Sequence, residues 1–298
     1  MYEAHFGLAE VPFSITPDTS FFFGSPHSQE ALNTLLVAAR SGEGFIKITG
    51  EVGTGKTLLC RKFMATLGEG FVTAYVPNPY LEPRALMMAL ADELEIVLPK
   101  DVDQHQLVKS LTVRLLELAA RGKHVVLCLD EAQALPLESL EALRLLTNLE
   151  TEKRKLLQIV LFGQPELNAH LASPKIRQLA QRITFHYHLG ALGRDDLDYY
   201  VAHRLRVAGF TGARLFSKGA VRRLYRATGG IPRLVNIVAH KALMLAYGEG
   251  RHLVEGRQVG LAARDTIGTA RGWPRWSWLA SAAALAAAAG GITLALTR

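Results

Sequence analysis

Apolar and polar positions divide the chain into regimes. Short, mostly apolar runs of strand length recur at 45–49, 72–76, 124–130 and 156–162, and 184–189 reads as the last strand. The stretches 83–94, 104–121 and 137–149 instead place apolar residues three and four apart, the period of one helix face. Runs that are apolar throughout suit strands buried on both faces. Strands alternating with helices specify a parallel sheet wrapped on either side. From Gly193 to about Asp265 the strand-like runs stop and helical periodicity continues alone, as in a small helical lid. The expected division is an N-terminal segment over 1–41 packing on the core, an α/β nucleotide-binding domain over 42–190 and a helical lid over 191–267.

The last regime is apolar and uncharged. Residues 276–296 form a run of 21 without a single charge, rich in Ala and Leu. As a helix that length crosses a hydrocarbon core of about 30 Å. Trp273, Trp276 and Trp278 stand at its N-terminal edge, where interfacial aromatics collect, and Arg264, Arg271 and Arg275 precede it. By the positive-inside rule the N-terminal bulk then faces the cytoplasm. A single membrane anchor in contact with lipid is expected. An Ala-rich packing helix is the alternative, because alanine is barely apolar and Gly290-Gly291 softens the helix.

Composition refines this picture. A chain of 298 residues has room for one large or two modest domains. Cys60 and Cys128 fall in stretches that read as buried, which argues against a disulfide framework and for a reducing compartment. Residues 1–20 are polar and interrupted by Pro12 and Pro17, unlike a signal peptide. The net charge of +7 is unevenly spread: residues 1–190 hold 18 Lys+Arg against 21 Asp+Glu, and residues 191–275 hold 15 against 6. The basic lid region can serve nucleic acid or an anionic membrane surface, or be an ordinary solvated helical face.

The chemistry begins at Gly50-Glu51-Val52-Gly53-Thr54-Gly55-Lys56-Thr57, with Leu58 next in the chain. This is a complete G-x-x-x-x-G-K-T loop, preceded by a strand-like run and leading into a helix start. Glycines let the backbone N–H groups converge on phosphates and the helix N-terminus adds positive potential. Lys56 reaches the outer phosphates and Thr57 can ligate Mg²⁺. Hydrolysis needs more. Asp130 closes an apolar strand, where an Mg²⁺-side carboxylate belongs, and Glu131 comes directly after it, where a carboxylate can polarise the attacking water. A helix N-cap is the ordinary reading of such a pair, and the upstream loop displaces it. With no Asn-Lys-x-Asp guanine-reading motif, ATP is favoured over GTP. His186 and His188 share one strand face but lack a third ligand, and Phe21-Phe22-Phe23 could line an adenine pocket or clamp the sheet edge.

The ordered set of that loop, Asp130-Glu131-Ala132-Gln133, Gly163-Gln164-Pro165-Glu166-Leu167, Gln181-Arg182-Ile183 and Gly229-Gly230-Ile231-Pro232-Arg233 resembles the AAA+ ATPases of the general secretion pathway protein A (ExeA) group. The run Pro12-Phe13-Ser14-Ile15-Thr16-Pro17-Asp18 and His27 with Glu30-Ala31-Leu32 add to the match, which covers about 6–246. The resemblance implies a P-loop AAA+ core with a helical lid. It implies Gln164 as a γ-phosphate sensor, although many relatives carry Asn, Ser or Thr there, and Arg233 as a second sensor in the lid. It implies Arg182, or its competitor Arg177, as an arginine finger reaching a neighbouring subunit of a homo-oligomeric ring or arc. Longer members continue past the membrane into a periplasmic peptidoglycan-binding domain. With Thr297 and Arg298 alone after the uncharged run, the chain is most similar to the short MshM-like ATPases of MSHA-type pilus biogenesis. The implied protein sits in a bacterial inner membrane, its ATPase domain in the cytoplasm, beside pilus or type II secretion assembly proteins. A DNA-directed ATPase similar to transposition helper proteins is the alternative.

Overall fold

The computed structural model describes residues 1–267 with the exception of 78, 152 and 153. The expected anchor over 276–296 lies outside the described residues, and among those described no helix is long and apolar enough to cross a membrane. In chain order the strands are β1 (Phe45–Thr49), β2 (Phe71–Val76), β3 (His124–Leu129), the two-residue pair β4 (Glu150–Thr151) and β5 (Arg154–Lys155), β6 (Leu157–Gly163) and β7 (Ile183–His188). Five of them form one parallel sheet in the order β2-β3-β6-β1-β7, while β4 and β5 pair antiparallel as a separate ribbon. The α/β reading therefore holds, with a central β6 buried along its whole length.

The apolar runs fill two cores because side chains alternate across a strand. Ile46, Ile48, Val126, Cys128, Val160 and Phe162 face one side, packed by α2 (Pro26–Arg40) and α3 (Lys56–Thr66). Phe45, Val125, Leu127, Leu129, Ile159 and Leu161 face the other. There they meet α4 (Pro83–Glu93), α5 (Gln104–Ala120) and α6 (Leu137–Leu146). Each fully buried Leu, Ile or Phe on these faces contributes about 2 kcal/mol. Cys60 and Cys128 are buried, as their stretches predict. Helix starts obey local chemistry: Ser25 accepts from the Ser28 N–H ahead of Pro26, and Asp103 accepts from the Gln106 N–H. One helix ends well short of the sequence expectation. The helix expected over 137–149 ends at Leu146, because the Thr147 hydroxyl turns back to the Arg144 carbonyl and the chain leaves into the ribbon.

Beyond the short helices α1 (Glu3–Phe6), α7 (Glu166–Leu171) and α8 (Arg177–Ala180), the lid consists of α9 (Asp196–Val207), α10 (Lys218–Thr228), α11 (Pro232–Gly248) and α12 (Gly256–Ile267). Within the expected N-terminal segment, α2 lies on the sheet, whereas Tyr2, Phe6, Leu8, Phe13 and Phe21 join the lid's own core. That strap is pinned by buried Arg204 on α9. Its guanidinium donates to the Pro12 and Ser14 carbonyls (2.6 and 3.0 Å) and lies 4.3 Å from the centre of the Phe21 ring. Asn236 Nδ2 on α11 donates to the same Ser14 carbonyl at 3.2 Å, and Asn236 Oδ1 accepts from Tyr200 Oη at 2.8 Å. Arg204→Ala takes its donor from the Pro12 carbonyl, leaves the Ser14 carbonyl to Asn236 and removes the cation–aromatic contact, an expected loss of about 2–4 kcal/mol. Thermal unfolding measures it, together with faster proteolysis within residues 1–25. An unchanged melting temperature would mean that the strap is held by its aromatic residues and Asn236 without Arg204.

Candidate nucleotide site

Three strand ends build the site. Because β1, β3 and β6 run parallel in register, the residues after each emerge along one edge of the sheet. After β1 comes the glycine loop, after β3 the pair Asp130 and Glu131, and after β6 Gln164. The loop is anchored by the Gly50 N–H on the Gly163 carbonyl (3.2 Å) and by Thr54, whose hydroxyl donates to the Glu51 carbonyl (2.9 Å). Gly53 and Gly55 adopt φ of +83° and +100°, the left-handed backbone that a phosphate loop requires and that side chains resist. Lys56, buried at the start of α3, donates to the carbonyls of Gly50 (2.7 Å) and Glu51 (3.0 Å). Burial pulls its pKa down, against the opposing charges of Glu131, Asp130, Glu51 and Glu166.

Thr57 closes the loop onto the second motif: its hydroxyl donates to Asp130 Oδ2 at 2.5 Å. Burial pushes the Asp130 carboxyl up. The bonds from Thr57 and the Glu131 N–H and the charge of Lys56 oppose that rise, and the charge of Glu131 adds to it. Tyr75 Oη on β2 reaches the same Asp130 oxygen at 3.4 Å, a partner the sequence reading missed. Two neighbouring oxygens of this kind fit Mg²⁺, a hard cation that takes one or two protein ligands beside phosphate and water. The Glu131 carboxylate accepts from two amides, Gln133 Nε2 (2.6 Å) and Gln164 Nε2 (3.1 Å). Burial works to raise its pKa, but those two bonds and the Lys56 charge outweigh it and hold the carboxyl below its ordinary value.

The lid completes the cleft. The Arg233 N–H at the start of α11 donates to the Gly53 carbonyl at 3.1 Å, and the Leu192 N–H donates to the Gly230 carbonyl at 3.0 Å. A cavity of about 360 Å³ lies between loop and lid, lined by Thr16 of the strap, Val52, Lys56 and Leu58 of the loop region, Glu131, and Arg233. Tyr200, Arg204 and Asn236 have no place in the sequence reading, because nothing in their local pattern separates them from surface helix residues; the strap enters it as a segment packing on the core, without a place beside the loop. Phe21, Phe22 and Phe23 line a smaller cavity between the loop and α9, so they stand at the lid side of the loop. Arg182 is half buried and its Nη1 donates to Thr147 Oγ1 at 3.3 Å, whereas Arg177 is exposed at the start of α8 (Arg177–Ala180). His188 Nδ1 lies 3.3 Å from Thr49 Oγ1, and among the described residues no group of three His, Cys, Asp or Glu side chains could hold a metal ion.

A phosphate loop, an acid pair and a polar strand end at one edge of a parallel sheet define a P-loop nucleoside triphosphatase. Residues 39–171 match the family described as an AAA domain. General secretion pathway protein A of Aeromonas hydrophila is 44% identical over 268 residues, which is 90% of this chain and 49% of that protein. The chain thus spans about half the length of that relative. Solved structures share the fold at low identity. The Aeropyrum pernix ORC2 protein, in ADPNP and ADP complexes, is 17% identical with a TM-score of 0.62, over 84% of this chain and 72% of that one. The Thermotoga maritima RuvB branch migration motor is 16% identical with a TM-score of 0.55, over 83% and 70%. Residues 39–171 thus resemble an AAA domain, and across most of its length the chain is similar to general secretion pathway protein A.

A Cβ placed on Gly53 would fall 2.7 Å from Arg233 Cβ, at a backbone angle that already disfavours one. Gly53→Ala must therefore distort the loop or part it from α11, at a cost of about 1–3 kcal/mol. Affinity for a fluorescent ATP analogue is expected to fall about tenfold with the circular dichroism spectrum unchanged. Parental affinity would show the loop–lid contact to be dispensable for binding.

Proposed function

We propose that the chain is a membrane-tethered ATPase whose turnover drives or regulates assembly of an envelope machine, a type IV or MSHA-type pilus or a type II secretion-like system. The observation that carries this reading is the 44% identity to general secretion pathway protein A across 90% of the chain. The uncharged run at 276–296 supports the tether. In the hydrolytic site Gly50, Gly53, Thr54 and Gly55 cradle the phosphates by their backbone, Lys56 meets the outer ones, and Leu58 flanks the nucleotide. Thr57 and Asp130 would hold Mg²⁺, which when bound would supply positive charge against the transferred phosphoryl group. Glu131 polarises the attacking water and Gln164 reads the γ-phosphate. Arg233 contacts nucleotide from the same subunit, since its backbone already joins the loop.

The tether is tested by alkaline carbonate extraction of membranes containing the full chain or a version ending at Arg271. Retention of the full chain alone is expected. If both versions extract, the tail is a packing helix and the envelope reading loses its anchor.

A trans-acting arginine makes a homo-oligomeric ring or arc part of catalysis. The exposure of Arg177 and the engagement of Arg182 with Thr147 support Arg177 as the group offered to a neighbour. Arg177→Ala is expected to lower kcat of the assembled protein about 10³-fold and to be rescued by mixing with a Lys56→Ala subunit that keeps its own arginine. Full activity of Arg177→Ala would move the assignment to Arg182, and full activity of both variants would end the trans-finger proposal.

A second reading is a DNA-directed ATPase. It is favoured by one surface: Arg194, Lys218 and Arg222 line an open groove on the lid with Tyr199, Tyr225, Asp195 and the ion pair of Arg214 with Asp198, a net excess of positive charge. Such a groove suits a phosphodiester backbone. Stimulation of the ATPase by duplex DNA, lost steeply with added salt, would distinguish it.

A further inference from the structure

Glu131 takes a left-handed backbone conformation (φ 53°, ψ 39°), one of two non-glycine residues with positive φ among those described. For a glutamate this costs on the order of 1–3 kcal/mol and persists where neighbouring groups enforce it. The turn Ala132–Ala134 comes directly after it and places Gln133 beside the carboxylate. Both ends of the Gln133 amide are then used. Its Nε2 donates to Glu131 Oε2 at 2.6 Å, and its Oε1 accepts from the backbone N–H of Gln164 at 2.9 Å. The reverse amide orientation would set oxygen against carboxylate and N–H against N–H, so this one is fixed by its partners. Gly163 leaves the space for it: a Cβ there would lie 3.3 Å from Gln133 Oε1 and 2.8 Å from Leu167 Cδ2.

The geometry points to Gln133 as a positioning residue that ties the Glu131 carboxylate to the strand end carrying Gln164, so that the water-polarising group and the γ-phosphate reader keep one register. This rests on the hydrolytic role proposed for Glu131. Among the described residues both side-chain amides converge on Oε2, which leaves Oε1 of Glu131 to accept from a water. When the Gln164 amide turns toward a γ-phosphate, Gln133 is the donor that still holds the carboxylate. The charged groups around it are Lys56 and Asp130, with Glu51 and Glu166 acting on Lys56.

Steady-state ATPase assays and binding of a fluorescent ATP analogue test this in the full chain carrying Gln133→Ala, Gln133→Glu, Glu131→Gln, or Glu131→Gln with Gln133→Ala. Gln133→Ala is expected to lower kcat about 10- to 100-fold, with KM and analogue affinity within about twofold. Gln133→Glu keeps the acceptor for the Gln164 N–H but opposes a carboxylate to Glu131. It is expected to fold as the parent does and to lose at least as much kcat. In the Glu131→Gln background the second change is expected to add nothing, as for residues acting as one unit. Parental kcat in both Gln133 variants, with Glu131→Gln inactive, overturns the positioning role and leaves the hydrolytic reading intact. Parental kcat in Glu131→Gln overturns that reading itself. A Gln133→Ala loss confined to analogue affinity would also overturn the positioning role.

Discussion

The parallel hydrogen-bonded register of β1, β3 and β6 is the constraint on which the site and the lid both depend. Strands that run the same way and are buried on both faces must end together, and the segment leaving each strand is forced to the same edge. Gly50, Asp130 and Gln164 lie far apart in the chain and meet because their strands are neighbours. The Thr57–Asp130 contact of 2.5 Å is the result of that convergence. A phosphate-binding loop gains its partner carboxylate without any long-range signal beyond the order of strands.

The second organising feature is the way the chain's first residues serve the lid. Phe13 and Phe21 give the strap apolar mass, and Arg204 commits a buried charge to holding its carbonyls. Strap, loop and lid thereby surround one cleft, with the Gly53–Arg233 contact as the seam between loop and lid. Through that seam the loop is joined directly to the helical region, whose residues 191–275 carry the surplus positive charge.

The surroundings of Glu131 show how a site is assembled from amides as much as from charges. Two glutamines, one from the turn after β3 and one after β6, fix a carboxylate whose own backbone is strained. Such strain is retained where the surrounding bonds enforce it.

The sheet's strands, the helical lid and the phosphate loop with its acid pair were all legible along the chain. Apolar runs report burial on two faces, and the loop's chemistry is local: glycines, lysine and threonine act from adjacent positions. The same periodicity made the helix over 137–149 too long, since the competing hydroxyl of Thr147 is invisible to it. Folding in three dimensions settled which distant residues share the site. Tyr75, Arg204 and Asn236 reach it by packing, and their spacing in the chain carries no trace of that. Gln133 stood inside a recognised motif, yet its role depended on the neighbouring strand end, because a hydrogen bond between two turns is a property of their separation in space. The contrast between Arg177 and Arg182 had the same character: exposure and the Thr147 contact distinguish two arginines that the chain presents alike.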